Sequence, residues 1–224
     1  MKRRQSRRKY QTDFYAQKAR KEKFPARSVY KLKEIQQKHR LIRKGDKILD
    51  LGCAPGSWLQ YAAEMTGPRG AVVGVDLKSV AVSVPAHARA IEADVSQLAE
   101  MDRSSLVDII GEDYHLVMSD MAPFTTGHKR VDAVRSHQLC EAALGIARYV
   151  LAEEGVFICK IFQGPDFTEF VNAVRTDFST VKIFKPQSCR KESREIYIIG
   201  IGKTGGSEDG RAQQMGQHQA PQDG

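Results

Sequence analysis

The chain of 224 residues is long enough for one α/β domain that buries a core without disulfide or metal staples. Its 41% hydrophobic, 28% charged and 8% aromatic residues exclude a disordered or fibrous class, and no apolar run nears the ~18 residues of a membrane span. The net charge of +8 is uneven, because residues 1–40 hold 15 Lys/Arg against 3 Asp/Glu and leave the remainder slightly acidic.

In chain order, residues 1–26 read as a basic, flexible arm. The opening Met-Lys-Arg-Arg lacks the apolar stretch of a secretory signal, so a cytosolic protein without a membrane partner is expected. Such an arm suits a polyanion, since Lys and Arg release counterions from phosphate and the interleaved Tyr10, Phe14, Tyr15, Phe24 and Tyr30 offer rings for base stacking. The folded domain is expected over 27–203. It begins with a helix capped by Ser28, with Val29, Leu32 and Ile35 on one face. Strands are predicted at 48–51, 71–76, 88–94, 114–120, 155–160, 180–184 and 195–201, and helices at 57–65, 105–110, 132–151 and 166–177. That alternation predicts an α/β fold, a mostly parallel seven-stranded sheet with helices on both faces. Only a loop with Pro186 fits between the last two strands, so they are predicted to be antiparallel. Residues 204–224, rich in Gly, Gln, Asp and Pro, are expected to be a disordered tail.

Cys53, Cys140, Cys159 and Cys189 form no CxxC pair and the six histidines show no ligand spacing, so no metal is expected. The sharpest local signal is Asp50-Leu-Gly-Cys-Ala-Pro-Gly-Ser-Trp, after the first strand and opening a helix. A dinucleotide loop wants G-x-G-x-x-G, whereas Gly52-x-x-x-Gly56 led by Asp50 is a wider, acidic turn that suits a cationic, phosphate-free cofactor. Asp76 could accept ribose hydroxyls and Asp94 an exocyclic amine. Asp50, Asp76, Asp94 and Asp120 all end successive strands. Lys160 lies inside an apolar run, Val156-Phe-Ile-Cys before it and Ile161-Phe after it, where a lysine needs a reason.

The Asp-Leu-Gly-x-Ala-Pro-Gly-x-Trp loop, Asp-Met-Ala-Pro at 120–123 and Ser-Arg-Glu-Ile-Tyr at 193–197 together resemble the FtsJ/RrmJ (RlmE) family. The resemblance runs from about Arg27 to Gly202. It implies a Rossmann-like class I methyltransferase fold, S-adenosyl-L-methionine as cofactor, and 2′-O-methylation of a ribose, with a uridine of large-subunit ribosomal RNA as target. It further implies cofactor contacts at Gly56, Trp58, Asp76, Asp94 and Asp120, and a catalytic set of Lys31, Asp120, Lys160 and Glu195. Cys53 stands where the family has Ala, and Ser57 where Gly is common. A monomer is expected, with ribosomal RNA as partner. Rival readings are methylation of transfer RNA or a messenger cap, or a ribosome-assembly protein that binds RNA without catalysis; an NAD-dependent oxidoreductase fits less, for want of the third glycine spacing.

Overall fold

The computed structural model describes residues 14–80, 82–190 and 192–205, so most of the arm (1–13) and the tail from 206 lie outside the described residues. The strands are β1 (Lys47–Leu51), β2 (Ala71–Asp76), β3 (Ala88–Glu92), β4 (Tyr114–Ser119), β5 (Leu151–Phe162), β6 (Phe178–Phe184) and β7 (Glu195–Lys203). The helices are α1 (14–21), followed by α2 (Val29–His39), α3 (Ser57–Thr66), α4 (Val95–Ala99), α5 (Arg103–Ile110), α6 (Lys129–Val150) and α7 (Phe167–Asp177).

One sheet runs β3-β2-β1-β4-β5-β7-β6. The first five strands in that order are parallel, and β7 lies antiparallel between β5 and β6. Strand direction along the chain turns at β1, with β2 on one side and β4 on the other. That is the switch point of a doubly wound sheet, where the crevice beyond the carboxyl ends receives a ligand.

Period-two alternation assigns the faces. Leu49, Leu51, Val117, Phe157, Cys159 and Ile161 point toward α4–α7, whereas Ile48, Leu116, Met118, Ile158 and Tyr197 pack with Leu32, Ile35, Trp58 and Leu59 of α2 and α3. The edge strands are the least buried, and exposed Arg89 on β3 and Lys182 on β6 discourage further strand addition.

Three local readings change. Ser28 stands before α2 but has helical backbone angles and caps nothing with its side chain. Its carbonyl instead accepts the Trp58 indole N–H at 2.9 Å. Helix α4, only five residues, breaks the expected run from β3 to α5 because Asp94 caps it. Finally, α6 ends at Val150 and β5 starts at Leu151, with a register shift against β4 before the predicted strand begins.

Residues 14–26, assigned to the arm on their charge, are partly seated. Ala19 and Phe24 are buried against Val29 and Tyr30, while the lysines and arginines between them face outward. Helical spacing separates these two faces, which a charge count merges.

Candidate active site

Four polar side chains meet on the face covered by α2, above the carboxyl ends of β4 and β5. Asp120 follows the last residue of β4, and Lys160 comes from β5 on the same side as Ile158. Because β7 is antiparallel, its first residue, Glu195, arrives at this same end. Lys31 enters from the first turn of α2, one residue before the core residue Leu32.

Lys160 donates from Nζ to the backbone carbonyl of Asp120 and lies 3.1 Å from Asp120 Oδ1. Lys31 Nζ is 2.8 Å from Glu195 Oε2 and 3.5 Å from the same Asp120 Oδ1. One carboxylate oxygen therefore stands between two lysine nitrogens. Lys31, Lys160 and Glu195 are each at most 9% exposed. Buried ion pairs recover little of the free energy lost on leaving water, so this cluster is poorly explained as a stabilising device.

The charges hold one another. Burial works to lift the Asp120 carboxyl, but Lys160, Lys31 and the Tyr197 hydroxyl outweigh it and keep it below the usual carboxylate range. Burial likewise opposes the charge on Lys31, yet Asp120 and Glu195 raise its pKa. Glu195 is lowered against its own burial, mainly by Lys31.

Tyr197, which closes the Ser-Arg-Glu-Ile-Tyr motif without a predicted role in the site, joins the cluster. Its hydroxyl donates to Asp120 Oδ1 at 2.5 Å, and its own pKa is pushed well up by burial and by Asp120. The available signal was parity, since Tyr197 lies two residues after Glu195 on one strand and shares its face.

The acids of the glycine loop form a second group. Asp50 is fully buried at the end of β1, and neither carboxylate oxygen has a hydrogen-bond partner within normal distance. Burial first, then Asp120 and Asp76, push its pKa well above the usual range, with the Leu59 amide of α3 pulling weakly the other way. A buried, unsatisfied carboxyl between two other acids is a strong acceptor for a cationic ligand group. Asp76 accepts the Ala54 N–H at 2.9 Å and the Lys78 N–H at 2.9 Å, tying the loop to the end of β2.

Gly52 and Gly56 have φ of 78° and 108°. A Cβ on Gly52 would collide with Met121, and one on Gly56 with Val80 and Val82, so protein neighbours already use the bare backbone. Ser57, where the family often has Gly, exchanges hydrogen bonds with the backbone of Ala26. Cys53 fits over the bare Cα of Gly74 in β2.

Two residues carried over as cofactor contacts have protein partners here. Asp94 Oδ1 accepts the Ser96 N–H at 2.8 Å as the cap of α4. Trp58 is 3% exposed, with its ring stacked on Tyr197 at 5.9 Å between centroids. Beyond Asp120, the loop is braced by Thr126, which donates from its amide and hydroxyl to Asp132 Oδ1. Phe124 within it is 93% exposed. Among the described residues no group of three or more His, Cys, Asp or Glu could hold a metal, and no helix is long and apolar enough to cross a membrane.

Comparison with known proteins agrees with this geometry. A protein of Desulforapulum autotrophicum named ribosomal RNA large subunit methyltransferase E is 56% identical over 191 residues, covering 85% of this chain and 92% of that protein. A namesake in Desulfosudis oleivorans is 50% identical over 191 residues, 85% of this chain and 90% of its own. Among solved structures, one named as a ribosomal RNA methyltransferase of Plasmodium falciparum superposes with a TM-score of 0.69 at 24% identity, covering 80% of this chain and 98% of that one, which supports the fold. The FtsJ-like methyltransferase pattern itself matches residues 24–203, from the buried Phe24 to the last residue of β7, and the chain belongs to that family.

Proposed function

We propose that this chain transfers a methyl group from S-adenosylmethionine to the 2′-oxygen of a ribose, most specifically a uridine, in large-subunit ribosomal RNA. The observation that carries the reading is the buried Lys31–Asp120–Lys160–Glu195 cluster at the mouth of the switch-point crevice. The names of the relatives supply the substrate class.

The residues present fit the cofactor. Asp50 offers an unsatisfied carboxyl to its cationic end, and Asp76 retains lone pairs for the ribose hydroxyls. When bound, S-adenosylmethionine supplies an electrophilic methyl on a positively charged sulfur. The protein's part is to prepare the oxygen that attacks. A 2′-hydroxyl is a poor nucleophile until its proton is drawn away, and the Lys160 amine, held by the Asp120 carbonyl and carboxylate, is the group positioned to take it. Lys31, fixed by Glu195, remains a cation that stabilises negative charge growing on that oxygen. Tyr197 keeps Asp120 oriented between the two amines.

Incubating the chain with radiolabelled S-adenosylmethionine and unmodified large-subunit ribosomal RNA should label that RNA at a uridine 2′-oxygen. RNA that stays unlabelled, naked and in assembled subunits alike, overturns the reading.

Cofactor binding should also depend on the two acids differently. Asp76→Ala is expected to weaken S-adenosylmethionine affinity by about 1.5–3 kcal/mol, the scale of hydrogen bonds to a charged group. Asp50 has a raised pKa, and a bound cation favours its ionised form. Affinity should therefore climb as pH rises toward that pKa and level off above it, with proton release on binding, whereas Asp50→Asn should flatten the rise. Calorimetric titration in buffers of different ionisation enthalpy measures both effects; a wild-type protein whose binding releases no proton contradicts the Asp50 assignment.

A further inference from the structure

On the outer side of α2 lies an open groove of about 850 Å³, walled by Tyr15 and Lys18 of α1, Lys33 and Lys38 of α2, and Phe184 and Lys185 at the end of β6. We propose that this groove is a second RNA contact, holding the strand that flanks the nucleotide in the active site; the proposal rests on RNA being the substrate.

The groove combines cations with ring faces. Lys18 sits 4.8 Å from the Tyr30 centroid, Lys33 4.3 Å from that of Phe24, and Lys38 4.6 Å from that of Phe184. Proteins that grip single strands use this pairing, charge for the backbone and rings for the bases. The one acid in the wall, Glu34, faces the chain itself, accepting the backbone N–H groups of Gln187 and Ser188. Lys18 and Lys33 share Glu22 at 3.8 and 2.6 Å. Among the described residues neither Lys38 nor Lys185 pairs with a carboxylate.

Position links the groove to the chemistry. Phe184 is paired in register with Tyr197, and Tyr197 with Lys160. Three adjacent strands therefore carry Phe184 and Lys160 in one row, about 10 Å apart across the sheet at ~4.8 Å per strand. Lys38 follows Lys31 by two turns of α2, again about 10 Å along the helix axis. A strand entering the active site passes the groove within a few nucleotides.

Charge also selects the occupant. The chain leading into α1 carries Lys2, Arg3, Arg4, Arg7, Arg8 and Lys9 and would be repelled by a lysine-lined groove, while a polyanion is attracted to both.

The test uses the full chain and naked, transcribed large-subunit ribosomal RNA. Lys38→Gln with Lys185→Gln should lower the slope of log affinity against log salt by about 1.5, at roughly 0.7–0.9 for each lost phosphate contact. Phe184→Ala should weaken binding roughly 5- to 160-fold with little change in slope, the range measured for loss of one stacking ring. Phe184→Leu keeps apolar packing against His39 and should lose nearly as much, which separates stacking from misfolding. In every variant, S-adenosylmethionine affinity and turnover at saturating RNA should stay at the wild-type level. Wild-type affinity and salt slope on naked RNA in all variants overturns the proposal, as does a defect seen only with protein-bearing subunits, which would indicate a protein partner. If the wild type binds RNA through this groove but transfers no methyl to it, naked or in assembled subunits, the proposed function falls and the groove assignment stands.

Discussion

Lys160→Ala should lower methyl transfer by roughly 10²- to 10⁴-fold, the usual loss when a positioned acid–base group is removed, while leaving S-adenosylmethionine affinity unchanged. The expectation follows from where the amine sits, buried on β5 with its hydrogen bonds directed at the carbonyl and carboxylate of Asp120. Removing it leaves Asp120 with Lys31 and Tyr197, so the local fold retains two of its ties. Lys160→Arg is the sharper variant, because a guanidinium keeps the charge but supplies no free amine near neutral pH. Single-turnover rates at saturating cofactor and RNA separate the possibilities. An arginine variant nearly as slow as the alanine variant supports proton abstraction, whereas near wild-type turnover would show that Lys160 acts by charge alone.

The second large effect is expected at Trp58, and it concerns stability. Trp58→Ala should lower the free energy of unfolding by about 3–5 kcal/mol, as is typical when a buried large aromatic is truncated. The ring lies between α2, α3 and the sheet, stacked on Tyr197, and its N–H holds the first turn of α2 through the Ser28 carbonyl. Since α2 delivers Lys31 and Tyr197 orients Asp120, the same change should slow transfer in the fraction that remains folded. Trp58→Phe keeps most of the packing and should lose about 0.5–1.5 kcal/mol, the net worth of one hydrogen bond. Urea titration followed by far-UV circular dichroism measures both. If the alanine variant unfolds at wild-type denaturant but binds the cofactor poorly, Trp58 is a cofactor contact and not a strut.

Much of this architecture was legible because a parallel strand is buried on both faces and writes itself as an apolar run, as in Ala71–Asp76 and Tyr114–Ser119. What stayed hidden was non-local. Nothing in the residues of β7 says that it inserts between β5 and β6, since periodicity records which face a side chain takes and not which strand lies beside it. The active-site cluster was likewise unreadable from pattern, because Lys31 and Glu195 are 164 positions apart and meet only through that insertion. Only the family resemblance joins them in the sequence. Asp94 adds a local case: this strand-end acid also caps α4, a helix too short for the periodicity to register. Tyr197 carries no charge, so only the parity of its strand sets it beside Glu195.

The insertion of β7 also orders the birth of the protein. As the chain is synthesised, β6 emerges before the only strand it pairs with, and β5 waits with one edge open until the same strand arrives. A nascent chain that ends at Phe184 already holds Lys31, Asp120 and Lys160, but Lys31 has no Glu195 to fix it and Asp120 lacks the Tyr197 hydroxyl. The last strand to be made is the one that completes the site, so catalytic competence is withheld until nearly the whole domain has left the ribosome.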